Sequence, residues 1–560
     1  MPGRWHAAKP RPPRTCRRSG RCCARCLAGA AEPRHWYAGP LDGRNDHPLA
    51  LFYRKFGAEI EERRVDDFQV DVLVVGAGNA AACAALAARE KGATVAMLEA
   101  APEAERGGNS TYTAGAMRVV FNGVKDLVQL YDLTPDEQRD VDFGSYSADE
   151  FLDDMGRVTN YRCDPELTDI LIGRSFETLK WMRTKGVRFQ PSYGRQAFKV
   201  NGKYKFWGGL AVEAWGGGPG LVDLEHKAAV KAGIPIHYET AAVSLIEEDG
   251  VVRGVIARHK GRKVRIGAKA VVLACGGFES NAEMRTRYLG PTWDLAKVRG
   301  TRFNTGAGIN MALAIGAKPH GNWSGGHAVG WDMNAPEFGD LEVGDNFQKH
   351  SYPLGIMVNA NGLRFVDEGA DFRNYTYAKY GAVILSQPQQ FAWQIFDSKV
   401  LDKLRDEYRI KRMTKVRADT IEELATKLEG VDPTAFLKTI KEWNEAVMTE
   451  VPFNPAVKDG RSTRGLAVPK SNWANTIDQA PFEAYAVTCG LTFTFGGLKI
   501  STEGEVENTD GTTIPGLFAA GELVGGLFYH NYPGGTGLVS GAVLGKLAGD
   551  GAGRYVAGKN

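Results

Sequence analysis

Gln69-Val70-Asp71-Val72-Leu73-Val74-Val75-Gly76-Ala77-Gly78-Asn79-Ala80-Ala81 decides the fold. Its first half is an almost unbroken β-branched run, the composition of a central parallel strand covered on both faces. A tight glycine turn follows at once, and Gly76 to Ala81 fits G-x-G-x-x-A. Gly76 allows the turn, Gly78 lets backbone approach a pyrophosphate, and Ala81 lets helix and strand pack closely. The diphosphate would sit on the helix N-terminus. Residues 80–88 are rich in Ala, a strong helix former; Lys91-Gly92 ends that helix before a second strand over 93–98. Glu99 closes the strand, 23 residues after Gly76. There a carboxylate can hydrogen-bond both hydroxyls of an adenosine ribose and repel a 2′-phosphate. Strand, turn, helix, strand and acid in register predict an α/β dinucleotide-binding domain.

Working outward, the next glycine segment is Arg106-Gly107-Gly108-Asn109-Ser110-Thr111-Tyr112-Thr113-Ala114-Gly115-Ala116-Met117, which leaves room for a flat ring. An apolar strand over 270–274 ends in Cys275-Gly276-Gly277-Phe278, and residues 516–522 read Gly-Leu-Phe-Ala-Ala-Gly-Glu. Such strand ends can together contact one extended cofactor, which favours FAD over NAD. No second G-x-G-x-x-G unit for NADPH appears. The run Gly216-Gly217-Gly218-Pro219-Gly220 lacks a strand before it and is expected to cap a helix from about Leu221.

A chain of 560 residues is long enough for two or three domains. Hydrophobic residues at 43% and charged residues at 24% are ordinary globular values, and no run of about 18 apolar residues is present to span a bilayer. The net charge of +3 is misleading, because residues 1–50 hold ten Lys/Arg against three Asp/Glu and the remainder carries −4. A mildly acidic body gives no reason to expect nucleic-acid binding. Residues 1–65 show no helical or strand period and are expected to be a disordered or non-native extension, produced by an over-extended reading frame. Within them, Cys16, Cys22, Cys23 and Cys26 lack a second ordered cluster, so no metal site is expected. Arg17-Arg18 precedes a stretch too short and too interrupted for an export signal. Cys83, Cys163, Cys275 and Cys489 stand apart among small or apolar neighbours, as reduced thiols of a cytoplasmic protein do.

From Thr305-Gly306-Ala307-Gly308, which opens a helix, to a return near Tyr485, the βαβ rhythm is lost. This stretch is the candidate cap. It holds an expected hairpin, residues 356–358 and 363–366 around Asn359-Ala360-Asn361-Gly362. Two helices are expected as well, one opened by a capping box of Thr420 and Glu423, the other by Asp432 and Pro433.

Through these motifs, residues 70–549 resemble the FAD-binding flavoprotein superfamily of fumarate reductase, succinate dehydrogenase and 3-ketosteroid dehydrogenase. Residues 107–118 and Phe528 to Leu538, reading FYHNYPGGTGL, are most similar to the tricarballylate dehydrogenases. The resemblance implies a Rossmann-like, glutathione-reductase-type FAD-binding domain with an inserted α+β capping domain. The expected division is 66–318 and 485–560 for the two parts of the FAD domain and 319–484 for the cap. The implied cofactor set runs motif by motif: Gly76, Gly78, Asn79, Ala80, Ala81 and Glu99, then Gly107, Gly108, Asn109, Ser110, Thr113, Gly115, Ala116 and Met117. Val243, Ala274, Gly276, Gly277 and Asn281 follow, and Gly521, Glu522, Gly537, Leu538 and Val539 complete it. Respiratory members bind FAD covalently through a His beside the Asn-Ser position, where this chain has Ser110, Thr111 and Tyr112, so non-covalent FAD is expected. Flavin monooxygenases usually carry an Asp where this chain has Ala-Gly-Glu, and are disfavoured.

The implied chemistry passes a hydride between a substrate carbon and the flavin while a second group exchanges a proton on the neighbouring carbon. The family's acid or base is an Arg shortly after an Arg-Phe-x-Asn-Glu segment. Here Arg364-Phe365-Val366-Asp367-Glu368 leads to Arg373, one residue further along and with Asp in place of Asn. His327 falls where the family places a carboxylate-binding His. Phe493 and Tyr532 replace a family His and a carboxylate-clamping Arg, which argues against fumarate or succinate as substrate. Tyr532-Pro533-Gly534 is similar to the ketone-polarising segment of 3-ketosteroid dehydrogenases. Arg373, Tyr532 and His327 are the expected catalytic residues; His350, His530, Asn531 and Arg118 are expected to bind substrate carboxylates. The implied partners are a small carboxylic acid and a membrane iron-sulfur protein that exchanges electrons with the flavin and draws the enzyme to the membrane surface. A ketosteroid substrate, or an electron-transfer subunit with no small substrate, stands as the alternative.

Overall fold

The computed structural model describes residues 66–206 and 209–558. The features noted in residues 1–65 lie outside the described residues. The first sheet is built on β1 (Asp66–Val75), whose apolar run is buried from Val72 to Val75. It is followed by α1 (Asn79–Glu90) and β2 (Val95–Leu98), and α2 (Gly217–Lys231) precedes β3 (Ile236–His237). Then come β4 (Thr240–Glu248), β5 (Val251–His259) and β6 (Arg262–Leu273). The spatial order is β4-β5-β6-β1-β2-β3, with β1 parallel to both β6 and β2.

The second sheet centres on one long strand. Its elements are β7 (Pro319–Asp332), α3 (Tyr377–Leu385), β8 (Ala392–Phe396) and β9 (Phe482–Leu498). β9 pairs antiparallel with β7 on one edge and β8 on the other, and α3 packs against β7 so closely that a Cβ at Gly381 would lie 2.4 Å from the Ala328 carbonyl carbon. β9 runs through the expected return at Tyr485 without interruption. The chain then re-enters the first sheet as β10 (Glu505–Glu507) and β11 (Thr513–Ala519), and β11 lies parallel to the C-terminal end of β6.

The C-terminal helix α4 (Thr536–Val556) explains why the first helix is made of alanines. Gly541, Gly545, Gly549 and Gly553 recur every four residues and form one ridge of α4. A Cβ at Gly545 would lie 2.3 Å from the Ala80 carbonyl oxygen, and one at Gly549 2.2 Å from that of Ala84. Only small residues on both helices permit this approach. It sets the N-termini of α1 and α4 beside each other at the C-terminal end of β1, an interior strand.

Several local expectations are corrected. Only the first arm of the expected hairpin is a strand, Ile356–Val358, and it pairs with β8. The return arm makes a single bridge, Val358 with Arg364, because Arg364 is turned onto the Glu368 carboxylate and the carbonyls of Val366 and Val468. Thr420 caps residues 421–427, but the Glu423 carboxylate accepts from Asp419 N–H, so the capping box is not reciprocal. Asp432 and Pro433 open a helix as expected. α2 begins four residues before Leu221 and takes the glycine run into its first turn, where a Cβ at Gly218 would lie 2.1 Å from the Ser110 carbonyl oxygen.

Candidate active site

A single continuous cleft runs from the end of β2, past the N-termini of α1 and α4, to the face of the second sheet. Its first half is walled by backbone. Gly76 has φ +115°, a conformation other residues rarely adopt, and a Cβ there would lie 2.2 Å from the Ala274 carbonyl oxygen. Gly78 faces the Gly107 carbonyl, 3.2 Å from where a Cβ would stand. Asn79 ties the glycine segments together: its backbone N–H donates to Ser110 Oγ at 3.2 Å and its amide to the Leu538 carbonyl at 2.7 Å.

Two groups of carboxylates mark this half. Glu99 ends β2, lines the cleft and accepts from Ala101 N–H at 2.9 Å; burial pushes its carboxyl up, against the pull of that and neighbouring backbone N–H groups. Glu522 accepts from Thr494 N–H at 2.8 Å and is hydrogen-bonded to the buried Glu279, which accepts from the amides of Asn109 at 2.7 Å and Asn304 at 2.6 Å. Burial raises both acids. A long glycine-walled gap, two helix N-termini and an acid at the end of β2 fit an extended dinucleotide cofactor.

Most of the expected cofactor residues line this gap: Gly76, Gly78, Asn79, Ala80 and Glu99 from the first motif, then 107–110, Thr113 and Ala116, with Ala274, Gly276, Gly521, Glu522, Gly537 and Leu538. Ala81, Gly115, Met117, Gly277 and Val539 are buried and do not line it. Val243 is 44% exposed; Thr240, Ala241 and Ala242 at the start of β4 reach the cleft instead. Asn281 caps residues 282–284 and donates to the Thr305 carbonyl, also outside the cleft.

The second half is walled by rings and titratable side chains. His327 on β7 is the cross-strand partner of Phe493 on β9, and their rings stand 5.1 Å apart. Tyr532 lies 4.7 Å from the His327 ring and Tyr377, on α3, 5.0 Å. His327 is 1% exposed and neither ring nitrogen has a hydrogen-bond partner in the protein. Burial, reinforced by Arg299, holds its imidazole well below the usual range, so it is neutral. Arg299 is itself paired with Asp345 at 2.5 Å. The Tyr377 and Tyr532 hydroxyls hydrogen-bond each other, and burial pushes both phenols up. His350 packs edge-on to Tyr377 at 4.9 Å, and the buried Arg373 lines the cleft from the turn just before α3.

Three of the expected substrate residues lie elsewhere. Arg118 is fully buried outside the cleft, its Nε donating to the Gly534 carbonyl at 2.8 Å, with Asp154 at 3.6 Å and the Tyr146 and Tyr375 rings beside it. Asn531 donates to the Tyr375 carbonyl at 2.7 Å, and His530 is exposed with its backbone N–H on Asn322. Sequence reasoning missed Tyr377 and the Arg299–Asp345 pair. Tyr377 lies at the start of α3, four residues after Arg373 but on a separate turn of chain, and no sequence motif marks it.

Comparison with known proteins bears on the same stretch. Residues 71–539 match the family model described as FAD binding domain. The chain belongs to this family. It is 30% identical over 500 residues to a probable fumarate reductase, Ifc3, of Shewanella frigidimarina, spanning 87% of this chain and 75% of that protein. The open conformation of a flavocytochrome c3 fumarate reductase matches with a TM-score of 0.66 at 28% identity, over 92% of this chain and 82% of that one. A 3-ketosteroid Δ1-dehydrogenase from Sterolibacterium denitrificans shares the fold, with a TM-score of 0.67 at 20% identity over 88% of this chain and 100% of that one. The chain is an FAD-dependent oxidoreductase acting on CH–CH bonds, built on the FAD-binding fold with a capping domain. Among the described residues, no helix is long and apolar enough to cross a membrane, and no cluster of metal-ligating side chains is present.

Proposed function

We propose that this enzyme dehydrogenates, or in reverse hydrogenates, a CH–CH bond beside a carboxylate in a small carboxylic acid of the tricarballylate type, yielding an alkene such as cis-aconitate. The observation that carries the reading is the meeting of Arg373, His350 and His327 at the end of the cleft that adjoins the cofactor gap. Bound FAD supplies the two-electron chemistry. His350 would hold the carboxylate by a charge-assisted hydrogen bond, and Arg373 would donate a proton to the adjacent carbon from its cationic form in hydrogenation and accept one in dehydrogenation only in its neutral form. The aromatic wall of Phe493, Tyr532 and Tyr377 would exclude water from that step. The cofactor would be held without a covalent bond, since Ser110 and Thr111 stand where covalent relatives carry His and their hydroxyls are engaged with Asn79 N–H and the Arg106 carbonyl. Electrons would leave through a membrane iron-sulfur partner that docks the protein from the cytoplasm, because its described cysteines are free and separate.

One observation favours a second reading. A buried phenol pair such as Tyr377–Tyr532 can polarise a ketone as enolate charge develops, the arrangement a ketosteroid substrate would need. Anaerobic titration of the holoenzyme with tricarballylate and with a 3-ketosteroid, following the loss of flavin absorbance, separates the two. Bleaching by tricarballylate is expected. Bleaching by the steroid alone would replace the first reading with the second, and acid precipitation that leaves the yellow colour on the pellet would refute non-covalent binding.

A further inference from the structure

A second, smaller pocket lies behind the substrate end of the cleft. The two cavities share His350 and Arg373 as a common wall. On its outer side the pocket is lined by Lys403 and Arg405, with Phe372 and Trp473 forming an aromatic flank, their rings 5.6 Å apart. None of its lining residues is acidic. The nearby carboxylates are committed elsewhere: Asp371 pairs with Arg157 and Lys458, and Asp406 with Arg409. Lys403 donates to both Asp402 carboxylate oxygens at 2.8 and 3.1 Å and to the Lys399 carbonyl at 3.3 Å, but Asp402 is 74% exposed, so an incoming anion competes only with a surface ion pair of small net worth. Arg405 is oriented by donating to the Gly194 carbonyl at 3.0 Å.

The aromatic flank is a built feature. Trp473 is buried and held at φ +58°, a conformation costly for a bulky side chain. Its backbone N–H donates to Asp459 at 2.9 Å and its indole N–H to the Val457 carbonyl at 2.8 Å. A second carbonyl, that of Asn454, accepts from the same indole N–H at 3.1 Å, so the ring is held in place.

We propose that this outer pocket is an anion subsite on the route by which a carboxylate-bearing substrate reaches His350 and Arg373. The inference rests on the carboxylic-acid reading of the inner site. Basic side chains on a partly enclosed wall raise the local concentration of anions, and hence the capture rate, by an amount that falls with salt. A polyacid spanning the wall would place one carboxylate outside, at Lys403 and Arg405, and another inside, at His350.

The test uses FAD-loaded protein carrying Lys403→Glu, with Lys403→Gln as the milder change at this partly exposed position. The second-order rate of anaerobic flavin bleaching by tricarballylate should fall about tenfold in Lys403→Glu at low ionic strength, and less in Lys403→Gln. The difference should shrink toward parity in about 0.5 M salt. Equal rates for both variants and the parent at low salt would overturn the subsite while leaving the functional reading intact. If tricarballylate does not bleach the parent enzyme, the functional reading fails. Calorimetry with citrate, whose central carbon carries no hydrogen to lose, then decides the subsite. About tenfold weaker binding in Lys403→Glu upholds it, and unchanged binding overturns it.

Discussion

At the end of the cleft bounded by Gly76, Gly78 and Gly107, main chain does the recognising and side chains are mostly absent. At the end bounded by His327, Arg373, Tyr377 and Tyr532, side chains from three separate stretches meet and main chain recedes. The first end tolerates almost no added atoms, since a Cβ at Gly76 or Gly107 would collide with a neighbour at under 2.5 Å. The second is a lining of rings around the unpartnered His327 imidazole. On the function proposed above, the first end would hold the cofactor and the second would select the substrate.

Substitutions at the two ends should separate these roles. Gly76→Ala combines a disfavoured backbone conformation with a collision and should weaken FAD binding by about 10²-fold or more, read as FAD content after gel filtration. Full retention of FAD would show that the glycine turn is dispensable. Glu99→Ala should lower FAD affinity about tenfold through the lost charged hydrogen bonds to the ribose, measured by flavin fluorescence on titrating the apoprotein. Unaltered affinity would remove Glu99 from the cofactor site. Tyr532→Phe leaves the rings packed but deprives Tyr377 of its partner; on a carboxylic acid it should raise KM about 2–10-fold with little change in kcat. A collapse of kcat instead would move the chemistry to the phenol pair. The smallest effect is expected from His327→Gln. Because burial already holds His327 neutral, the shape of the kcat/KM profile between pH 5 and 8 should be the same in variant and parent. An acid limb present in the parent and lost in the variant would show that His327 titrates during turnover.

The same contrast explains what the sequence made legible. The glycine motifs, the register of β1, α1 and β2, and the acid at Glu99 are local constraints on backbone, and each is visible as a residue type at a fixed spacing. The substrate end depends on where side chains point after distant segments meet. Arg118, His530 and Asn531 lie close in sequence to motifs of the site, yet Arg118 and Asn531 donate to backbone carbonyls behind the cleft and His530 faces solvent. Val243 sits at the start of the right strand, but its side chain is directed outward. Tyr377 carried no motif of its own. Its partner Tyr532 is 155 residues away, and the two meet where the loop after Tyr532 docks on the turn before α3, Gly534 N–H donating to the Asn374 carbonyl at 2.9 Å.

The role given to Arg373 is tested most directly by the reductive half-reaction of Arg373→Ala. Stopped-flow mixing of the FAD-loaded variant with tricarballylate under anaerobic conditions reads the rate of flavin bleaching, and the resting spectrum reports FAD content. Loss of the group that exchanges the substrate proton should slow bleaching by roughly 10² or more while the resting flavin spectrum stays that of the parent. Bleaching at close to the parent rate would contradict the assignment of Arg373 as the proton-exchanging residue.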